Sequence, residues 1–166
     1  MEEIVYNPNN GDDFSKLLSF AQALFLRCAE LNVQPVVYGS LAYAFYTKDE
    51  KININDIDLL IPESFFPHIA AAVKNLPDVT CEETTYHSLK LFHGGVKISF
   101  DAIEEYYHGL PRDFVAGKIN GIAFSLVPKN ALEEVYKRGA ETIPMKKEQY
   151  TVKLNALLNF DPGNSK

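Results

Sequence analysis

Residues 36–62, VVYGSLAYAFYTKDEKININDIDLLIP, decide the reading of this chain. They open on an apolar run, Val36-Val37-Tyr38, that stops at Gly39-Ser40. They close on DIDLLIP, a second apolar run that carries two acids, Asp56 and Asp58, one residue apart. Short runs rich in Val and Ile favour strands, and SLAYAFYTK between them reads as a helix starting at Ser40. Side chains alternate across a strand. Asp56, Asp58 and Leu60 therefore share one face, and Ile57, Leu59 and Ile61 share the other, which suits a packed core.

A second segment repeats the pattern. In VKISFDAI, Val96, Ile98, Phe100 and Ala102 fall on one face, and Lys97, Ser99 and Asp101 on the opposite one. If the two strands are neighbours, the carboxylates of Asp56, Asp58 and Asp101 converge. Acids held close raise each other's pKa unless a cation compensates. Magnesium takes oxygen ligands, usually one or two carboxylates plus substrate phosphates. The pattern thus predicts a divalent-metal site on the sheet, with Glu104 or Glu105 as the alternative third ligand. Gly39-Ser40 stands where a strand gives way to a helix. Glycine lets backbone approach a ligand closely, and free N–H groups at a helix start attract phosphate. Ser40 either caps that helix or binds a phosphate oxygen. A phosphate-binding turn beside an acidic metal site implies phosphoryl or nucleotidyl transfer.

The rest of the chain supplies a frame. NPNNGDD is a turn-rich lead-in, with Asp12 or Asp13 placed to cap a helix. Leu17, Leu18, Ala21, Leu24, Phe25, Cys28 and Leu31 then recur at helical spacing. ESFFPHIAAAVKNL reads as a helix with Pro67 in its first turn, where proline is tolerated. VTCEETTYHSLKLFH and VKISFDAI read as β segments joined at Gly94-Gly95, a two-residue hairpin turn. Residues 118–127 read as one further strand, paired with RDFVAG. PKNALEEVYKRGA and KKEQYTVKLNALLN read as closing helices. The order predicts an α+β fold, a mixed sheet flanked by helices, in a single domain over residues 1–166, with residues 1–12 and 161–166 flexible.

YGSLAYAFY followed by NDIDLLIP resembles the signature of the nucleotidyltransferase superfamily, which has the DNA polymerase β-like fold. That signature is an apolar residue, Gly, Gly or Ser, a short helix, and an Asp-x-Asp strand in an apolar frame, with a third acid on a later strand. Tyr38-Gly39-Ser40 resembles the first element, Asp56-Ile57-Asp58 the second and Asp101 the third; LVPKNALEEVY is similar to a late segment of small bacterial members. The resemblance covers roughly residues 20 to 140. It implies that Asp56 and Asp58 bind two Mg²⁺ (or Mn²⁺) ions and that Gly39-Ser40 holds the phosphates of a nucleoside triphosphate. It also implies that Asp101 binds one ion and helps activate an acceptor hydroxyl on a small molecule, a protein side chain or an RNA end. Two departures stand out: where relatives often carry Arg or Thr just before the acidic strand, Lys51 is the nearest cation, and Lys147-Glu148 matches imperfectly a Lys-Asp pair that relatives often carry late in the chain.

Composition bounds the alternatives. At 166 residues with 46% hydrophobic content and 11 Phe, the chain can build a core of its own. A net charge of −6 disfavours a general nucleic-acid coat. No apolar run approaches a membrane span, and the two cysteines, Cys28 and Cys81, have no metal spacing; a cytoplasmic protein is expected. His68, His87, His93 and His108 form no ligand set. Lys90 and Lys97 flank the hairpin and can face phosphates, and Tyr86, Tyr106 or Tyr107 can stack on a base or simply pack. Lys137-Arg138 and Lys146-Lys147 read as a solvated helix face. The competing reading is a catalytically inactive nucleotide-binding or partner-binding module of the same fold.

Overall fold

The computed structural model describes residues 1–160. Its centre is the opening stretch. Strand β2 (Val36–Tyr38) leads directly into helix α2 (Gly39–Thr47), and the chain returns as strand β3 (Asp56–Ile61), antiparallel to β2 with Tyr38 opposite Asp58. Strand β6 (Val96–Ala102) lies parallel on the other side of β3, pairing Asp56 with Lys97, Asp58 with Ser99 and Leu60 with Asp101. The even registers put every polar residue of these strands on one face, as the period of two demands. Ile57, Leu59, Ile98 and Phe100 are fully buried. Each contributes roughly 1.5–3 kcal/mol of hydrophobic stabilisation.

The remaining strands extend this core to both sides. Strand β5 (Ser88–His93) pairs antiparallel with β6 through the Gly94-Gly95 turn, and β4 (Val79–Glu83) forms that edge. On the other side stand β7 (Val115–Ile119), β8 (Ile122–Leu126) and a short parallel strand β1 (Glu2–Ile4). The eight strands run β1-β7-β8-β2-β3-β6-β5-β4. Helix α1 (Gly11–Glu30) packs on β3 and β6 and against α3 (Phe66–Val73). Helix α2 packs with α5 (Lys129–Thr142) and α6 (Lys147–Asn159), and the four-residue α4 (Ile103–Tyr106) follows β6. The α+β expectation of a mixed sheet with flanking helices holds.

Three local expectations are corrected. Residues 118–127 are not one strand: Asn120 and Gly121 both take positive φ, 50° and 82°, and turn the chain back between β7 and β8. Asn-Gly is the dipeptide best suited to such a turn. Residues 1–12, expected to be flexible, carry β1 and the buried Tyr6. Asn120 pins this segment, accepting from the Tyr6 N–H at 2.7 Å and donating to the Tyr6 carbonyl at 2.9 Å. Helix α1 is capped by neither Asp12 nor Asp13. It starts at Gly11 after Asn10, whose side chain is engaged with the Ile54 backbone at 2.7 and 2.9 Å. The expected tail at 161–166 lies outside the described residues.

Candidate active site

The Tyr38-to-Gly39 junction shapes the site. Gly39 has φ +69°, a left-handed conformation that side chains other than glycine's rarely adopt. A Cβ built there would sit 2.6 Å from Asp58 Oδ2. The first turn of α2 therefore presses against the carboxylate of Asp58 with nothing between them. Ser40 is not bonded to the backbone as a cap; its hydroxyl accepts from Lys153 Nζ at 3.0 Å.

The acids differ sharply in their surroundings. Asp56 pairs with Lys97 at 3.3 Å. The Asp58 carboxylate, half-buried where it lines the cleft, has no side-chain hydrogen bond or ion pair among the described residues, and its pKa is pushed up to about 8. Burial is the main cause, followed by the charges of Asp56 and Asp101, against which Lys97 and Lys153 pull weakly. Asp101 is buried and its carboxylate is filled by three hydroxyls: Tyr38 Oη, Ser88 Oγ at 2.6 Å and Ser99 Oγ at 2.9 Å. Carboxylate and cleft so near the Tyr38 hydroxyl hold it protonated, with burial the larger influence.

All five predicted residues line one cleft of about 570 Å³: Gly39, Ser40, Asp56, Asp58 and Asp101. Among the described residues no three acids, histidines or cysteines are gathered as a ready-made ligand group. Asp56, Asp58 and Asp101 nonetheless share one face: Asp58 lies opposite Ser99 and Asp101 is one two-residue step further along, near enough for its charge to raise the Asp58 carboxyl. Of the alternative third acids, Glu105 lines the cleft, whereas Glu104 turns away to accept the Glu63 N–H at 2.9 Å. An unpartnered, charge-strained Asp58 beside Asp56 suits an oxygen-loving divalent ion completed by substrate oxygens.

The opposite wall comes from α5 and α6, which the motif did not reveal. Lys153 stands 5.6 Å from the ring centre of Tyr43 and 5.7 Å from that of Tyr136. Burial lowers its pKa while Asp58 and Asp56 oppose that shift. Tyr150 lies tilted against Tyr136 with centroids 5.7 Å apart, and Gly139 leaves room for it: a Cβ there would meet the Tyr150 ring at 2.7 Å. Lys90, Lys97, Arg138 and Lys146 also line the cleft, so half of each expected surface pair, Lys137-Arg138 and Lys146-Lys147, faces the site instead. Lys51 and the Lys147-Glu148 pair do not line it. Of the three tyrosines offered for stacking, Tyr106 lines the cleft, Tyr86 is exposed elsewhere and Tyr107 is buried in the core. His87 binds Glu63 at 2.6 Å, and His93 packs on Phe20 in the hairpin. A lysine on a helix of weak amphipathic pattern carries no local signal that it reaches a distant serine.

No family model matches this chain, and no curated protein matches its sequence. Solved structures do. The lincosamide antibiotic adenylyltransferase LnuA, lincomycin-bound, superposes with a TM-score of 0.62 at 12% identity over 93% of this chain and 99% of that one. ANT(2'')-Ia in complex with adenylyl-2''-tobramycin gives 0.58 at 15% identity, over 85% and 96%. An antigenic nucleotidyltransferase-like protein from Paracoccidioides brasiliensis gives 0.59 at 15% identity, over 87% and 76%. At such identities the likeness speaks for architecture. With the Gly39-Ser40 turn and the acidic strand in place, the chain has the nucleotidyltransferase, polymerase β-like fold.

Proposed function

We propose that this protein is a metal-dependent nucleotidyltransferase that moves a nucleoside monophosphate from a nucleoside triphosphate to a hydroxyl acceptor. The observation that carries the reading is Asp58: a carboxylate with no protein partner, packed against the start of α2 and facing a cleft rimmed by lysines. Asp56 and Asp58 would hold Mg²⁺ (or Mn²⁺) together with the triphosphate. Divalent ions at such a site supply an activated acceptor oxygen and neutralise the leaving pyrophosphate. The N–H groups of the first turn of α2 receive phosphate oxygens, and Lys153, drawn to Ser40, adds the positive charge on that side. Asp101 adds negative potential at Asp58 and, through its three hydroxyl bonds, fixes Tyr38, Ser88 and Ser99. The neighbours' lincomycin and adenylyl-tobramycin, with a cleft in the size range of small-ligand sites, favour a small-molecule hydroxyl over a protein side chain or an RNA end.

A second reading has one observation in its favour. Asp101 is fully occupied by hydroxyls, which suits a module that binds nucleotide without turnover. Two measurements separate the readings. Thermal unfolding with Mg²⁺ and each nucleoside triphosphate, on wild type and Asp58→Asn, reports binding. Pyrophosphate release with a panel of hydroxyl acceptors reports turnover. A metal-dependent shift absent in Asp58→Asn, with pyrophosphate released, supports the enzyme. A shift without release supports the binding module, and no shift with any triphosphate removes both.

A further inference from the structure

Among the described residues, one buried side-chain polar atom has no hydrogen-bond partner: the hydroxyl of Tyr136. Tyr136 is only 3% exposed. Folded proteins pair nearly all such groups, because an unmade bond forfeits the solvation given up on burial. An exception calls for a partner that joins later. The placement of Tyr136 says where that partner would be. It lines the same cleft as Gly39, Ser40 and Asp58. The Lys153 ammonium lies over its ring and also reaches Ser40 Oγ. Tyr43 meets it edge-on at 6.4 Å and Tyr150 flanks it at 5.7 Å, so the ring is clamped between α2 and α6.

Resting on the nucleotide reading above, we propose that Tyr136 is a substrate-positioning residue whose hydroxyl donates a hydrogen bond to a phosphate oxygen of the bound triphosphate. A phosphate oxygen fits better than a sugar or base group because Tyr136 shares its cleft with the start of α2 and has the Lys153 ammonium over its ring, and both favour anions. The free protein thus carries the cost of an idle donor, and the triphosphate relieves it.

The test compares wild type, Tyr136→Phe and a control, Tyr46→Phe. The Tyr46 hydroxyl lies outside the cleft and already donates to the Val127 carbonyl at 2.7 Å. Thermal unfolding without ligand is paired with calorimetric titration, in Mg²⁺, of the best-bound nucleoside triphosphate, of inorganic tripolyphosphate and of the matching nucleoside. Tyr136→Phe is expected to unfold at the wild-type temperature or above. It should bind triphosphate and tripolyphosphate about tenfold more weakly, the scale of losing one hydrogen bond to a charged group, with nucleoside binding unchanged. Tyr46→Phe is expected to do the reverse, unfolding earlier and binding as wild type. Unchanged triphosphate binding by Tyr136→Phe overturns the proposal, and so does a loss confined to the nucleoside. Lower stability without ligand would also overturn it, since the hydroxyl would then have a protein partner. Failure of wild type to bind either polyphosphate is a different result: it removes the nucleotide reading itself.

Discussion

Gly39 and Asp58 stand so close that a single methyl group on the first would lie 2.6 Å from Oδ2 of the second. The strand-to-helix turn and the acidic strand are therefore one unit, and glycine is the residue that lets them touch. Gly39→Ala introduces both that collision and a left-handed backbone, the latter alone costing about 1–2 kcal/mol. Denaturant unfolding should show at least that loss, with nucleotide binding abolished. Adding Asp58→Ala should recover the part due to collision and leave binding absent. Full additivity of the two changes would contradict the contact.

Asp58 makes the metal-free protein pH-sensitive in a defined direction. Its folded carboxyl titrates near 8 against an ordinary 3.8. Between those values the native state holds a proton that the unfolded chain has lost. Stability is therefore highest at the acidic end and falls as pH rises toward 8. Asp58→Asn removes this dependence, so the melting-temperature difference between variant and wild type, in a chelator, should grow from pH 5 to pH 8. Mg²⁺ with nucleotide should stabilise wild type most at the alkaline end. A difference that stays flat with pH would place the Asp58 titration elsewhere.

Asp101 and Asp56 should respond oppositely to the same change. Asp101→Asn breaks a buried set of three hydroxyl bonds, and an amide turns a donor toward groups that were donating. A loss of about 2–4 kcal/mol is expected. Asp56→Asn disturbs only a partly exposed pair with Lys97, worth about 1 kcal/mol at most, yet it should remove the metal-dependent thermal shift. Equal stability losses in the two variants would mean that the buried network is not formed.

Lys153→Met preserves stem volume and deletes the ammonium. With the bond to Ser40 and its position over two rings gone, triphosphate affinity should fall about 10- to 100-fold, as for a lost charged hydrogen bond. Unfolding without ligand should change little, because the freed site is open to water. Unaltered affinity by calorimetry would assign the phosphates to Lys90, Lys97 or Lys146 instead.

How much of this was legible in the sequence depends on the range of the signal. Period-two alternation assigned Asp56, Asp58 and Asp101 to one face correctly, because it is a property of each strand alone. It could not supply the register between strands, which places Asp101 opposite Leu60, one two-residue step beyond Asp58. Asn120-Gly121 did carry a local hairpin signal that the reading of one long strand passed over. Lys153 and Tyr136 carried none. Each is one polar or aromatic position on a helix, and only the docking of α5 and α6 against α2 brings them to the turn.

The link from Lys153 to Ser40 spans 113 residues of chain. Bringing such distant positions together is entropically slow and comes after local structure. The acidic pair and its turn, 20 residues apart or fewer, can form early, with Lys97 beside Asp56 once β6 pairs with β3, while Lys153 arrives only with the docking of α6. Full triphosphate affinity is therefore expected only after α6 docks, and ligand competence would serve as a late reporter of the chain's folding.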